Sequence, residues 1–135
     1  MIAVDSSILL DVLTDDPGFA DASEACLGEA LAHNDLVVCD AVVAVVQGLL
    51  ETRDTAMDTL ALLGLRYLPT TEQAAVRAGH MQRRFRDRGG RRERVVADFL
   101  IGAHALLQCS GLITRDDGFF RDYFKGLKVI VPKAD

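Results

Sequence analysis

Three aspartates in this chain stand where a carboxylate is unusual unless it has a task. Asp5 closes the short apolar run "IAV" and opens the polar turn "DSS". Asp116 directly follows the strand-like run "LITR". Asp98 lies in "VVADFLIGAHALL" among apolar residues, a setting in which aspartate weakens a helix unless it caps or serves. Its neighbours Ile101, Gly102 and Ala105 share one helical face, and the small ones are expected to let another backbone come close. Each aspartate could cap a helix. Converged on one cleft, the three carboxylates would repel one another and call for a cation. Oxygen donors without histidine or cysteine favour magnesium or manganese. Such an ion polarises a phosphoryl oxygen and acidifies bound water. Ser6, next to Asp5, and Thr114, two residues before Asp116, could hold a water or a phosphate, or be ordinary turn and strand hydroxyls.

Charge supports a polyanionic ligand only locally. The net charge of −5 is not that of a general nucleic-acid coat. Yet "RRFRDRGGRRER", residues 83–94, holds seven arginines against Asp87 and Glu93. A basic segment on an acidic body can bind a polyanion or an acidic partner, or be a solvated surface. Arginine rather than lysine suits forked contact with phosphate. A carboxylate cluster together with an arginine segment points to phosphodiester hydrolysis.

Other chemistries find little support. Cys26, Cys39 and Cys109 are odd in number and widely spaced, neither a disulfide framework nor a zinc pattern. Buried, reduced thiols of a cytoplasmic protein are expected. His33, His80 and His104 lack ligand spacing. The chain opens straight into "MIAVD", so no secretion signal is expected. The apolar runs are too short to span a membrane.

The elements that must position the acids alternate along the chain. Apolar runs at "IAV", "DLVVCD", "LRYLP", "LITRD" and "KVIVP" predict strands. Helices are predicted at "ILLDVL", from Asp16-Pro17 through "FADASEACLGEALA", and after Asp40 as a cap. Further helices are predicted at "TAMDTLALLG", from Thr70 or Thr71 to Gly89-Gly90, through "ERVVADFLIGAHALLQCSG" to Gly111, and at "DGFFRDYF". This alternation predicts a mainly parallel central sheet in a three-layer α/β/α domain over residues 1–135. Such sheets gather functional groups beyond the carboxyl ends of their strands, where Asp5 and Asp116 fall.

In this arrangement the chain resembles PIN domains, and more closely the VapC-type toxins of VapBC toxin–antitoxin modules. "VDSSILLDVL" resembles the family's opening strand, catalytic aspartate and following hydroxyl. "VVADFLIGAHAL" resembles its third acidic motif, and "LITRDDGFFRDYFKGLKVIVP" its fourth motif and C-terminal end. The resemblance implies a Mg²⁺- or Mn²⁺-dependent endoribonuclease that cleaves RNA, dimerises and is neutralised by a VapB-type antitoxin. It implies metal-site carboxylates at Asp5, Asp98 and Asp116, with Ser6 and Thr114 in support. Arg91 and Arg92 become candidates for RNA or antitoxin contact.

The resemblance fails at one place. The family's second acid is a glutamate on the helix after the second strand, and "VVAVVQGLLETR" places Val45 there; a shift of one residue would place Val46. Asp40 is about 7.5 Å away along a helix axis and Glu51 about 9 Å, too far to substitute. Asp117, beside Asp116, is the better substitute. Val42, Val45, Val46 and Leu49 are expected on one apolar stripe with Val45 at its edge. A catalytically inactive PIN module that binds RNA or antitoxin is therefore the alternative. A phosphohydrolase with Asp5 as nucleophile would want a second aspartate where Ser7 stands.

Overall fold

A computed structural model describes residues 1–50, 55–90 and 95–133. Arg91, Arg92 and Glu51 lie outside the described residues. The elements run β1 (Ile2–Val4), α1 (Ser6–Leu13), α2 (Ala20–Leu31), β2 (Leu36–Val38), α3 (Asp40–Leu49) and α4 (Ala56–Leu62). Then come β3 (Leu65–Tyr67), α5 (Glu72–Asp87), α6 (Val96–Gln108), β4 (Leu112–Ile113), α7 (Asp117–Tyr123) and β5 (Val129–Ile130). The strands form one sheet in the order β3-β2-β1-β4-β5, with every pairing parallel. This is the predicted three-layer α/β/α arrangement. Every residue of β1 and β2 is buried, as expected of strands covered on both faces.

The topology places the acids. From β1 the chain steps outward to β2 and β3, then returns past both to lay β4 against the other side of β1. Ala3 pairs with Leu112 and Val4 with Ile113. The direction of winding therefore reverses between β1 and β4, and their carboxyl ends open side by side. In open parallel sheets that crevice is where ligands bind.

Several local expectations shift. Helix α2 begins at Ala20 rather than at Pro17. The Asp16 carboxylate accepts hydrogen bonds from the N–H groups of Gly18 and Phe19 at 3.0 and 2.9 Å, folding those residues into a turn before the helix. Asp40 does not cap α3. Cys39 occupies the cap position, and the Asp40 carboxylate accepts from the backbone N–H and the hydroxyl of Thr70. The buried residues of α3 are Ala41, Val42 and Val46. Leu49 is 47% exposed, so the expected stripe is rotated, and Val45 is half-buried at its margin. Helix α6 ends before Cys109, short of Gly111. That glycine instead lies against the strand after α7, where an added Cβ would meet the Lys128 carbonyl at 3.1 Å. Close approach at Gly102 is by a ring rather than by another backbone, since a Cβ there would lie 2.4 Å from the Phe124 ring.

An aromatic cluster joins three helix ends. Phe85 of α5 meets Phe99 of α6 edge-on at 5.6 Å and Phe119 of α7 at 6.2 Å between ring centroids. Phe99 and Phe119 meet at 5.3 Å. Such edge-to-face contacts add roughly 0.5–1.5 kcal/mol each to the burial they bring. They hold the first turn of α6, which carries Asp98, next to the helix that Asp116 opens.

Candidate active site

Asp5 and Asp116 occupy the positions just before α1 and α7, where an aspartate ordinarily caps a helix. Neither carboxylate makes a cap hydrogen bond. Asp5 is 4% exposed and instead accepts from three hydroxyls. Thr114 Oγ1 lies 2.6 Å from its Oδ2, Ser7 Oγ 2.9 Å from the same oxygen, and Ser6 Oγ 3.4 Å from Oδ1. Thr114 Oγ1 in turn accepts the Asp116 N–H at 2.9 Å. One buried threonine thus ties the carboxylate after β1 to the backbone of the aspartate after β4. Thr114 therefore spends its hydroxyl on Asp5 and the Asp116 backbone. Of the two serines, Ser7 makes the shorter bond and Ser6 the weaker one.

Burial dominates the electrostatics of Asp5. Burial pushes the Asp5 carboxyl above its ordinary value of 3.8, and the nearby Asp116 charge adds to the rise, against the lowering effect of the Thr114 and Ser7 hydrogen bonds. Among the described residues no lysine or arginine pairs with Asp5. A buried carboxylate beside a second one, held by neutral donors, fits a hard divalent cation by donor chemistry and by charge.

Asp98 is placed differently. It stands at the third position of α6, and its Oδ2 accepts the Val95 N–H at 3.2 Å. This is the helix-capping role open to it from the sequence. Among the described residues no group of three or more His, Cys, Asp or Glu side chains is placed so that it could hold a metal ion. The structure therefore brings Asp5 and Asp116 together, while one carboxylate oxygen of Asp98 engages the N–H of Val95 just before α6. Two of the acids that could substitute for a glutamate at position 45 are engaged elsewhere. Asp40 holds Thr70, and Asp117 pairs with Arg121 at 2.9 Å.

An unexpected ion pair backs the site. Arg115, between Thr114 and Asp116, forks onto Asp11 of α1, with Nε 2.6 Å from Oδ2 and a terminal nitrogen 2.7 Å from Oδ1. Ser23 Oγ of α2 donates to Asp11 Oδ2 at 2.8 Å, and the guanidinium lies 4.0 Å over the Phe19 ring. The Arg115 N–H donates to Ser7 Oγ at 3.3 Å, closing a loop back to Asp5. The signal that marks Asp98, an aspartate inside an apolar helix, also marks Asp11 in "ILLDVL". Nothing in the sequence names its partner 104 residues away. The remaining reactive groups are quiet: burial raises the Cys26 and Cys39 thiols and pushes Cys109 up to about 11. His104 is buried, with Nε2 2.8 Å from the Leu68 carbonyl.

Residues 2–125 match the family model for the PIN domain. The chain belongs to the PIN domain family. Solved PIN-like folds superpose over almost its full length. A chain of VapBC2 from Rickettsia felis, solved bound to a promoter DNA fragment, aligns with a TM-score of 0.75 at 18% identity, covering 98% of this chain and 100% of that one. VapBC-1 from nontypeable Haemophilus influenzae gives 0.71 at 20% identity over 97% and 98%. FitAcB from Neisseria gonorrhoeae gives 0.68 at 23% over 98% of each. At such identities the likeness is one of fold. No curated protein matches this PIN domain in sequence. No helix among the described residues is long and apolar enough to cross a membrane.

Proposed function

We propose that this PIN domain is a Mg²⁺- or Mn²⁺-dependent endoribonuclease toxin of a type II toxin–antitoxin pair, weakened by Val45 at its second acidic position. The observation that carries this reading is the Thr114 bridge, which joins the buried Asp5 carboxylate to the Asp116 backbone at the switch point of the sheet. Asp5 and Asp116 would hold the ion, with Asp98 as the third acid at the same end. When bound, a divalent ion supplies Lewis acidity toward a phosphoryl oxygen and acidifies water. The chain's own part is to orient Asp5 through Thr114 and Ser7 and to fix the Asp116 turn through Arg115. The toxin assignment draws on fold neighbours solved as VapBC and FitAcB complexes. On it, the partners are an RNA substrate, a VapB-type antitoxin and a second copy of the chain in the cytoplasm.

The test is cleavage of a single-stranded RNA with Mn²⁺. Val45→Glu should cleave faster than the parent by more than about tenfold, the scale on which groups of a metal site affect metal affinity. EDTA and Asp5→Asn should abolish cleavage in both. Equal rates for parent and Val45→Glu would remove position 45 from the site, and cleavage that survives Asp5→Asn would overturn the reading. The engagement of Asp98 with Val95 favours a second reading, an inactive module that binds RNA or antitoxin. That reading takes over if Mn²⁺ neither supports cleavage by Val45→Glu nor raises the unfolding temperature of the parent.

A further inference from the structure

The arginine-rich helix α5 holds a feature that the carboxylate site does not use. Arg77, Arg84 and Arg88 line a groove of about 290 Å³ together with Lys125, which follows α7. All four cations are exposed, and none makes an ion pair among the described residues. Arg83, by contrast, lies 4.0 Å from Asp87. Asp122 is the one acid among the described residues lining the groove. Residues seven and four apart on a helix share a face, so the three arginines form a row about 16 Å long. Four exposed positive charges beside the single described acid Asp122 make a local basic strip on a protein of net charge −5, and such a strip attracts a polyanion.

The row leads to the acids. Phe85, one residue past Arg84 and three before Arg88, stacks edge-on against Phe99, the neighbour of Asp98, and against Phe119, three residues past Asp116. The Arg88 end of the groove therefore borders the part of the molecule where the carboxylates stand. The half-buried Met81 and Leu106 also line the groove, offering apolar surface between the charges. A chain with one obligatory negative charge per unit and flat aromatic bases fits this pattern.

We propose that the groove between α5 and the end of α7 binds the backbone of single-stranded RNA flanking the cleaved bond, through Arg77, Arg84, Arg88 and Lys125. The proposal deepens the ribonuclease reading and rests on it for the direction in which the strand runs. Contacts of this kind hold phosphates without reading sequence.

The test measures binding of a fluorescein-labelled twelve-nucleotide oligouridylate to the full chain in EDTA, so that no cleavage intervenes, across a salt series. The quadruple variant Arg77→Gln, Arg84→Gln, Arg88→Gln, Lys125→Gln should lose at least about tenfold in affinity. Its slope of log affinity against log salt should flatten by about 2–3, since each phosphate contact on a single strand contributes roughly 0.7. Lys128→Gln with Lys133→Gln, on the β5 side, is the control and should bind as the parent does. Equal affinity and slope for the parent and the quadruple variant would overturn the proposal. So would absence of binding by the parent at low salt, or displacement of the RNA by polyglutamate at equal charge, which would assign the groove to an acidic protein. Groove-dependent binding with neither Mn²⁺-dependent cleavage by Val45→Glu nor a Mn²⁺-raised unfolding temperature of the parent would sink the nuclease reading and leave the groove standing.

Discussion

At the scale of single residues, what separates Asp5 from a helix cap is its company. Its carboxylate is buried, takes hydroxyl donors and faces a second aspartate. Its folded-state pKa therefore stands above the unfolded value. Below the unfolded value of about 3.8 the contribution of Asp5 to stability is fully present, and it is lost as pH rises through the folded pKa. In the metal-free protein, the gap in urea midpoint between the parent and Asp5→Asn should thus widen in favour of Asn from pH 4 toward neutrality. Saturating Mn²⁺ should close the gap by stabilising the parent alone. A gap that stays constant across that range would mean that Asp5 is not a strained buried acid. The positions of Asp5 and Asp116 at strand ends were legible in sequence, because a short apolar run ending in aspartate marks a strand end. Their freedom from capping was not, since capping depends on which way a side chain turns. The same limit applied to Asp98, one of whose carboxylate oxygens takes the Val95 N–H.

At the scale of elements, the segment between β4 and α7 is fixed by Arg115 reaching back to α1. Asp11 has 3% of its side chain exposed and Arg115 33%. Removing the cation leaves an uncompensated charge in the interior. Arg115→Ala should destabilise the fold by about 3–5 kcal/mol, measured by urea unfolding. Arg115→Lys should recover only part of this, because an ammonium cannot match the two-oxygen fork. A loss below about 1 kcal/mol for Arg115→Ala would show that the pair does not hold α1 to β4. Element order was readable from hydrophobic periodicity alone. The boundaries moved where a polar side chain captured backbone: Asp16 delayed α2, and Asp40 tied itself to Thr70 rather than capping α3.

At the scale of the whole molecule, the aromatic cluster couples α5, α6 and α7, and so sets Asp98 relative to Asp116. Phe85 is 8% exposed and also meets Tyr123 at 5.1 Å. Phe85→Ala should cost about 3–5 kcal/mol. It should also lower the Mn²⁺ concentration response of the unfolding temperature, because the two helix starts lose their common support. Full stability loss with an unchanged Mn²⁺ response would separate the cluster from the site. Aromatic residues dispersed from Phe85 to Phe124 gave no sequence sign of forming one cluster, since their spacing fits any apolar core.

The sequence by itself determined the alternation of strands and helices, the placement of two acids at strand ends, and membership in a family whose motifs occur in order. Those features are local: they depend on periodicity and on the residue that ends a run. The tertiary structure alone decided that β4 lies beside β1, which brings Thr114 onto Asp5 across 109 residues. It likewise decided that Arg115 finds Asp11, that Leu49 leaves the buried stripe of α3, and that arginines of α5 face Lys125 across a groove. Such contacts follow from crossover topology and side-chain direction, and neither is encoded within the span of any single element.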